Sequence, residues 1–296
     1  MDRKSSERTA ARVFLLGSNV QKSISPAIQN RAFEKSGFHA RYGLFQVPED
    51  EFDSAMAEVG RASDILGFNV TAPYKERILP YLARVDRHVR GVGAVNTIKI
   101  GRRGNWAGYN TDINGIVASL KKLGSSGKKC VILGAGGAAK ACMYAALKNG
   151  FDEITILNRT KDRAKHALSH FESQFPRVSF EALSLTKEDF ASAIRNCDLL
   201  INAVASTYPF PIKTDFSDAP KRMKFFDLGY KEVSDVLKEA RKNNIRSIDG
   251  VLMVVEQGAK SFEIWTGLEA PRKEMIIAGR RALARKPAPK QQKAGF

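Results

Sequence analysis

The sequence predicts an α/β protein of two domains, one built on a doubly wound parallel sheet and the other completed by helices from the C-terminal end. Three observations carry this. Short apolar runs alternate with stretches of helical periodicity over most of the 296 residues, the order expected of βαβ units rather than of a sandwich or a bundle. The run Lys129-Cys130-Val131-Ile132-Leu133 leads directly into Gly134-Ala135-Gly136-Gly137-Ala138-Ala139 and then a helical stretch from Lys140 to Asn149, which reads as strand, tight glycine turn and helix. After Asp249-Gly250 the alternation stops, and two long helical stretches follow over 252–265 and 272–284.

In chain order, Val13 to Leu16 is a strand stopped by Gly17. Ser25-Pro26 opens a helix, with Ser25 expected as N-cap and proline at the first helical position, and Gly37 closes it. A strand over 41–47, a helix over 49–59 and a strand over 65–70 continue a β-α-β-α-β order. Residues 74–82 read as helix, 94–100 as strand, and 106–109 as its hairpin partner across a Gly101-to-Asn105 turn. Asn110-Thr111-Asp112 is expected to cap a helix over 113–123. Beyond the glycine turn come a strand over 153–157, a helix over 162–172, a strand over 178–180 and a helix over 187–194. Strands over 199–201 and 225–227 and a helix over 234–242 complete that half.

Composition excludes several classes. Hydrophobic content of 43% and charged content of 27% belong to a soluble globular chain. The net charge of +17 is compatible with nucleic acid, an acidic membrane surface or anionic small molecules. Part of it sits at the end, where residues 272–296 hold eight Lys or Arg and one Glu. Residues 286–296 lack apolar periodicity and are expected to be a disordered basic tail. No aromatic-interleaved basic groove and no zinc-ligand spacing support a nucleic-acid role. The four histidines, His39, His88, His166 and His170, show no ligand spacing, so no metal is expected. No run approaches the roughly 18 apolar residues of a membrane span. Cys130, Cys142 and Cys197 fit no C-x-x-C pattern and read as buried hydrophobes in a reducing compartment. The expected location is cytoplasmic.

The glycine turn carries chemistry. Glycines allow a tight turn and close approach to a pyrophosphate, and the following helix start offers unpaired N–H groups and a positive dipole end. The next strand ends where an NAD-binding unit normally has an acid for the ribose 2′-hydroxyl. This chain has Asn158-Arg159-Thr160 there, with Arg163 one helical turn on. Two guanidinium groups suit a 2′-phosphate, so the expected cofactor is NADP. The first half holds polar clusters that packing alone does not demand: Ser23-Ile24-Ser25-Pro26, Asn69-Val70-Thr71 with Lys75, Asn96-Thr97, and Asn110-Thr111-Asp112. Several fall at strand ends or helix starts, where doubly wound sheets bind ligands.

Taken together with Gly93-Ala94-Val95-Asn96-Thr97, Asp249-Gly250, Met253, Gln257 and Trp265-Thr266-Gly267, these motifs resemble the shikimate dehydrogenases from Gly17 to Gly267. The resemblance implies NADPH-dependent reduction of 3-dehydroshikimate to shikimate, in the shikimate pathway of aromatic amino-acid biosynthesis. It implies that Lys75 and Asp112 lie at the reacting carbon. Ser23, Ser25 and Tyr230 would bind the substrate carboxylate, and Thr71, Asn96 and Gln257 the ring hydroxyls. Gly134, Ala135, Gly136, Gly137, Ala138, Asn158, Arg159, Thr160 and Arg163 would bind the cofactor, with Leu228 and Gly250 beside the nicotinamide. The implied fold is an N-terminal α/β substrate domain over 1–111, a Rossmann-type dinucleotide domain over 112–249, and C-terminal helices over 250–285 returning to the first. Expected partners are the small-molecule substrate, with no metal, membrane or nucleic acid; a homodimer stays open. Gln29-Asn30 stands where many members have His-Asn. A broader quinate and shikimate dehydrogenase, or a catalytically silent shikimate sensor, remain as alternative readings.

Overall fold

The structure, a computed structural model, describes residues 10–101, 104–204 and 210–284; the expected tail over 286–296 lies outside the described residues. The N-terminal half forms a six-stranded mixed sheet from β1 (Ala11–Gly17), β2 (Ala40–Gln46), β3 (Ile65–Val70), β4 (Arg84–Val85), β5 (Thr97–Ile100) and β6 (Trp106–Tyr109), in the order β2-β1-β3-β5-β6-β4. The first three strands run parallel, and β5 is antiparallel to both β3 and β6. Helices α1 (Ser25–Ser36), α2 (Phe52–Arg61), α3 (Tyr74–Arg77) and α4 (Arg87–Val92) connect the strands, and α5 (Asp112–Leu123) leads out of β6.

The second sheet contains β7 (Lys129–Leu133), β8 (Glu153–Asn158), β9 (Ser179–Ser184), β10 (Leu199–Asn202), β11 (Lys224–Asp227) and β12 (Arg246–Ile248). All its pairs are parallel, in the order β12-β11-β10-β7-β8-β9. Helices α6 (Gly137–Lys148), α7 (Lys161–Glu172), α8 (Lys187–Ile194) and α9 (Asp235–Lys242) alternate with the strands. Apolar cores lie on both faces: one holds Ile132 and Ile201 against Cys142 and Leu168, the other holds Val131 and Leu200 against Phe190 and Val236. Covering on both faces explains why β7 and β10 read as continuous apolar runs without alternation. Strand order reverses between β7 and β10, which opens a crevice at their carboxyl ends.

The last two helices, α10 (Val251–Thr266) and α11 (Arg272–Ala284), pack on the first sheet beside α1. Phe262 meets Phe33 with ring centroids 5.6 Å apart, and Trp265 Nε1 donates to the Ile98 carbonyl at 2.8 Å. Burying an indole removes about 200 Å² from water, roughly 5 kcal/mol at ~25 cal/mol per Å². That is enough to explain why the chain crosses back to its first domain.

Local differences have physical reasons. Ser25 is the first helical residue of α1 rather than its cap, because Ile24 before it already has a helical backbone. The Ser23 and Ser25 hydroxyls instead bond each other at 3.1 Å. Asn110-Thr111-Asp112 likewise gives α5 no side-chain cap, since these groups are drawn into other hydrogen bonds. The 74–82 helix divides into α3 and a 3-10 turn at Leu79–Tyr81, where Pro80 cannot donate a backbone bond. The 94–100 strand joins the ladder only from Thr97. Three short elements, β4, α4 and β12, escape periodicity analysis because they are too brief, although Asp86 caps α4 by accepting from Val89 N at 2.8 Å.

Candidate active site

Lys75 lies on α3, just after the end of β3, and Asp112 opens α5, just after β6. Antiparallel β5 lies between those strands and brings the two ends together. Lys75 Nζ donates to Asp112 Oδ2 at 2.5 Å, while Asn96 Nδ2 donates to Asp112 Oδ1 at 2.7 Å. The two side chains are 19% and 8% exposed. A carboxylate this enclosed needs both bonds, since an unpaired buried charge costs several kcal/mol. The pair borders a cavity of about 370 Å³ that is also lined by Ser23, Ser25, Thr71, Asn96, Tyr230 and Gln257. The structure thus gathers all eight expected catalytic and substrate-binding side chains around one space.

A buried polar lattice braces them, built from the expected clusters at Asn69, Asn96-Thr97 and Thr111 and completed by Tyr42 and Ser261, which the sequence did not single out. Thr97 Oγ1 donates to Asn96 Oδ1 at 2.9 Å and lies 2.8 Å from Ser261 Oγ. Asn69 Nδ2 reaches Thr97 Oγ1 at 2.9 Å, and its Oδ1 accepts from the Tyr42 hydroxyl at 2.7 Å. Thr111 donates its backbone N–H to Asn96 Oδ1 at 2.8 Å. Ser261 follows Gln257 by one helical turn and donates to its carbonyl at 3.0 Å. That i, i+4 spacing was the available signal; its partners on β3, β5 and the β6–α5 junction were not visible locally. Gln29 is buried and donates to the Gly258 carbonyl at 2.8 Å, so it joins α1 to α10 instead of lining the cavity.

The far wall comes from Leu228-Gly229-Tyr230-Lys231, directly after β11. Buried Asp227 holds this turn, accepting from Gly229 N at 2.9 Å, from Asn202 Nδ2 at 3.1 Å and from the Ser234 hydroxyl. Burial raises its carboxyl above the usual range, against the effect of those donors. Burial also raises the Tyr230 phenol, which keeps it a neutral donor. Gly250 lines neither cavity described here. A Cβ there would stand 2.1 Å from the Leu228 carbonyl, so glycine lets α10 start against the Leu228 backbone.

A second cavity of about 310 Å³ is lined by Gly134, Ala135, Gly136, Asn158, Arg159 and Arg163. It shares Ala203 and Val204 with the first, so the two meet at the end of β10. Gly134 has φ 101°, a conformation glycine tolerates, and nothing within 4 Å of Gly136 would meet a Cβ there. Gly136 therefore faces open space at the start of α6, whose first N–H groups have no side-chain cap. Such a start can receive an anion such as a pyrophosphate, and the Arg159 and Arg163 guanidiniums on the wall of the same cavity could hold a further phosphate. Ala138 and Leu228 line the first cavity, whereas Gly137 and Thr160 line neither; the Thr160 carbonyl accepts from Asn158 Nδ2 at 2.8 Å. Among the described residues no cluster of three His, Cys, Asp or Glu side chains could hold a metal.

The chain is similar to known proteins over most of its length. Residues 15–98 match the shikimate dehydrogenase substrate binding domain, 117–254 match shikimate / quinate 5-dehydrogenase, and 250–276 match the shikimate 5′-dehydrogenase C-terminal domain. A shikimate dehydrogenase (NADP(+)) of Symbiobacterium thermophilum is 35% identical over 294 residues, covering 96% of this chain and 99% of that protein. A crystallised shikimate dehydrogenase in complex with NADP+ superposes with a TM-score of 0.82 at 32% identity, over 93% of this chain and 96% of that one. The Thermus thermophilus enzyme in complex with NADP(H) and shikimate gives 0.78 at 31% identity, over 92% and 99%.

Proposed function

We propose, because the chain belongs to the shikimate dehydrogenase family, that its two joined cavities carry out the reversible NADPH-dependent reduction of 3-dehydroshikimate to shikimate. The protein is an NADP-dependent oxidoreductase acting on a CH–OH group. The observation that carries the assignment of its site is the Lys75–Asp112 pair, 2.5 Å apart, in a cavity that borders the glycine-turn groove at Ala203 and Val204.

In this reading Ser23, Ser25 and Tyr230 hold the substrate carboxylate, and Thr71, Asn96 and Gln257 orient the ring hydroxyls. The α6 start with Gly134 to Ala138 receives the pyrophosphate. Asn158 and Thr160 border the adenosine ribose, and Arg159 and Arg163 grip the 2′-phosphate. Leu228 and Gly250 shape the nicotinamide side. NADPH supplies a hydride when bound. Lys75 stabilises the negative charge that then develops on the substrate oxygen and delivers a proton to it, worth roughly 10²- to 10⁴-fold in rate for a positioned acid. In the reverse direction Lys75 accepts the hydroxyl proton. Asp112 aims the ammonium and accepts a neighbouring substrate hydroxyl, while Asn96 fixes its second oxygen.

The test is reduced-nicotinamide absorbance with shikimate or quinate and with NADP or NAD, in all four combinations. Turnover strongest with shikimate and NADP is the expected result; no turnover with that pair would overturn the assignment. The expected compartment is the cytoplasm, supported by three buried cysteines that remain free thiols.

A further inference from the structure

The carboxylate end of the cavity presents a charge problem. The serine hydroxyls and the Tyr230 phenol are neutral donors, yet the ring acid they would receive is an anion entering a partly desolvated space. A carboxylate moved out of water needs a compensating charge or a full set of strong donors. The charged side chains on the cavity wall are Lys75, Asp112 and Lys231, and the first two form an ion pair with each other. Lys231 is left. It follows Tyr230 directly, and its Nζ sits 5.8 Å from the Tyr230 ring centroid. Partial desolvation at the rim, followed by the charge of Lys22, pushes its amine below the ordinary lysine value. Lys22 immediately precedes Ser23. Lys22 is exposed and lies outside the cavity lining, so the cation that borders the space shared by Ser23, Ser25 and Tyr230, beside Tyr230, is Lys231.

We propose that Lys231 is a specificity-determining cation that recognises the carboxylate of the ring substrate at the cavity rim. This rests on the proposed function for the identity of the acid. The chain accordingly favours an anionic ring over an uncharged one of the same shape, by charge as well as by the neutral donors deeper in the pocket.

The experiment compares shikimate with its methyl ester, which keeps the ring and loses the charge. Lys231→Met should weaken shikimate binding, read by calorimetry and by KM, about tenfold, the lower range for loss of a hydrogen bond to a charged group. The change in KM should exceed the change in kcat. Binding of the methyl ester should stay within about twofold, which also reports an intact fold, and Lys231→Arg should recover most of the loss. Equal shikimate affinity in wild type and Lys231→Met would overturn the proposal, as would parallel losses for acid and ester. Calorimetry separates the two readings: absent turnover in the wild type would sink the dehydrogenase assignment, while a tenfold binding loss in Lys231→Met would still support the rim cation.

Discussion

The residues that define the site sit at chain positions with little freedom to be anywhere else. Asp112 begins a helix at the end of one strand, Lys75 follows the end of another, and Asn96 leads into the strand between them. These were legible in the sequence because polar groups at strand ends stand out against apolar runs. Ser261 was not, since its partners Thr97 and Thr111 lie about 150 residues or more away along the chain. Lys231 was legible as a residue but not as a cavity wall, because only the fold shows which rim it joins. Arg159 and Arg163 yield a direct prediction. Replacing both by alanine should erase the preference for NADP over NAD, about 10- to 100-fold or more from the loss of charge-assisted bonds. The ratio of kcat/KM for the two cofactors measures it, and an unchanged ratio would place the 2′-phosphate elsewhere.

At the scale of elements, the parallel sheet that carries the glycine-turn cavity depends on a few polar joints at strand starts. Asp198, just before β10, accepts from Lys128 N at 2.9 Å and Lys129 N at 3.1 Å at the start of β7, and from Arg222 Nε at 2.7 Å ahead of β11. Burial works to raise this carboxyl, but Arg222 and the two backbone N–H groups outweigh it and leave the value lowered. A lowered value in the folded state means the carboxylate's contribution is complete above the unfolded carboxyl value and is lost as pH falls through the folded one. Asp198→Asn should therefore cost about 1–2 kcal/mol at neutral pH, or roughly 2–4 °C in Tm for each kcal/mol. The wild-type and variant melting curves should converge on acidification; a gap that persists at low pH would contradict this account. A second joint crosses between the halves: Lys140 on α6 donates to Glu76 at 2.8 Å, next to Lys75 on α3. It ties the helix that follows the glycine turn to the helix that carries Lys75.

For the whole molecule, the governing feature is that two sheets with different strand arrangements place their functional ends against one another. The parallel sheet was legible from the alternation of strands and helices and from the glycine turn, and its strand order follows from right-handed crossovers on both sides of β7. In the first sheet the antiparallel β5–β6 hairpin was legible from the Gly101-to-Asn105 turn, whereas the antiparallel pairing of β5 with β3 and the two-residue β4 left no local signal. The return of α10 and α11 to the first sheet, expected from the two long helices after Gly250, follows physically from the apolar surface they bury there.

The central claim is that Lys75, held by Asp112, acts on the reacting oxygen in this shared cavity. The most direct measurement is kcat for 3-dehydroshikimate reduction by Lys75→Met beside the wild type, with shikimate affinity measured in parallel. The account predicts that kcat falls roughly 10²- to 10⁴-fold while affinity changes by less than about tenfold, because the ammonium acts chiefly on the transition state. A variant that keeps wild-type kcat, or that loses affinity and rate by the same factor, would contradict it.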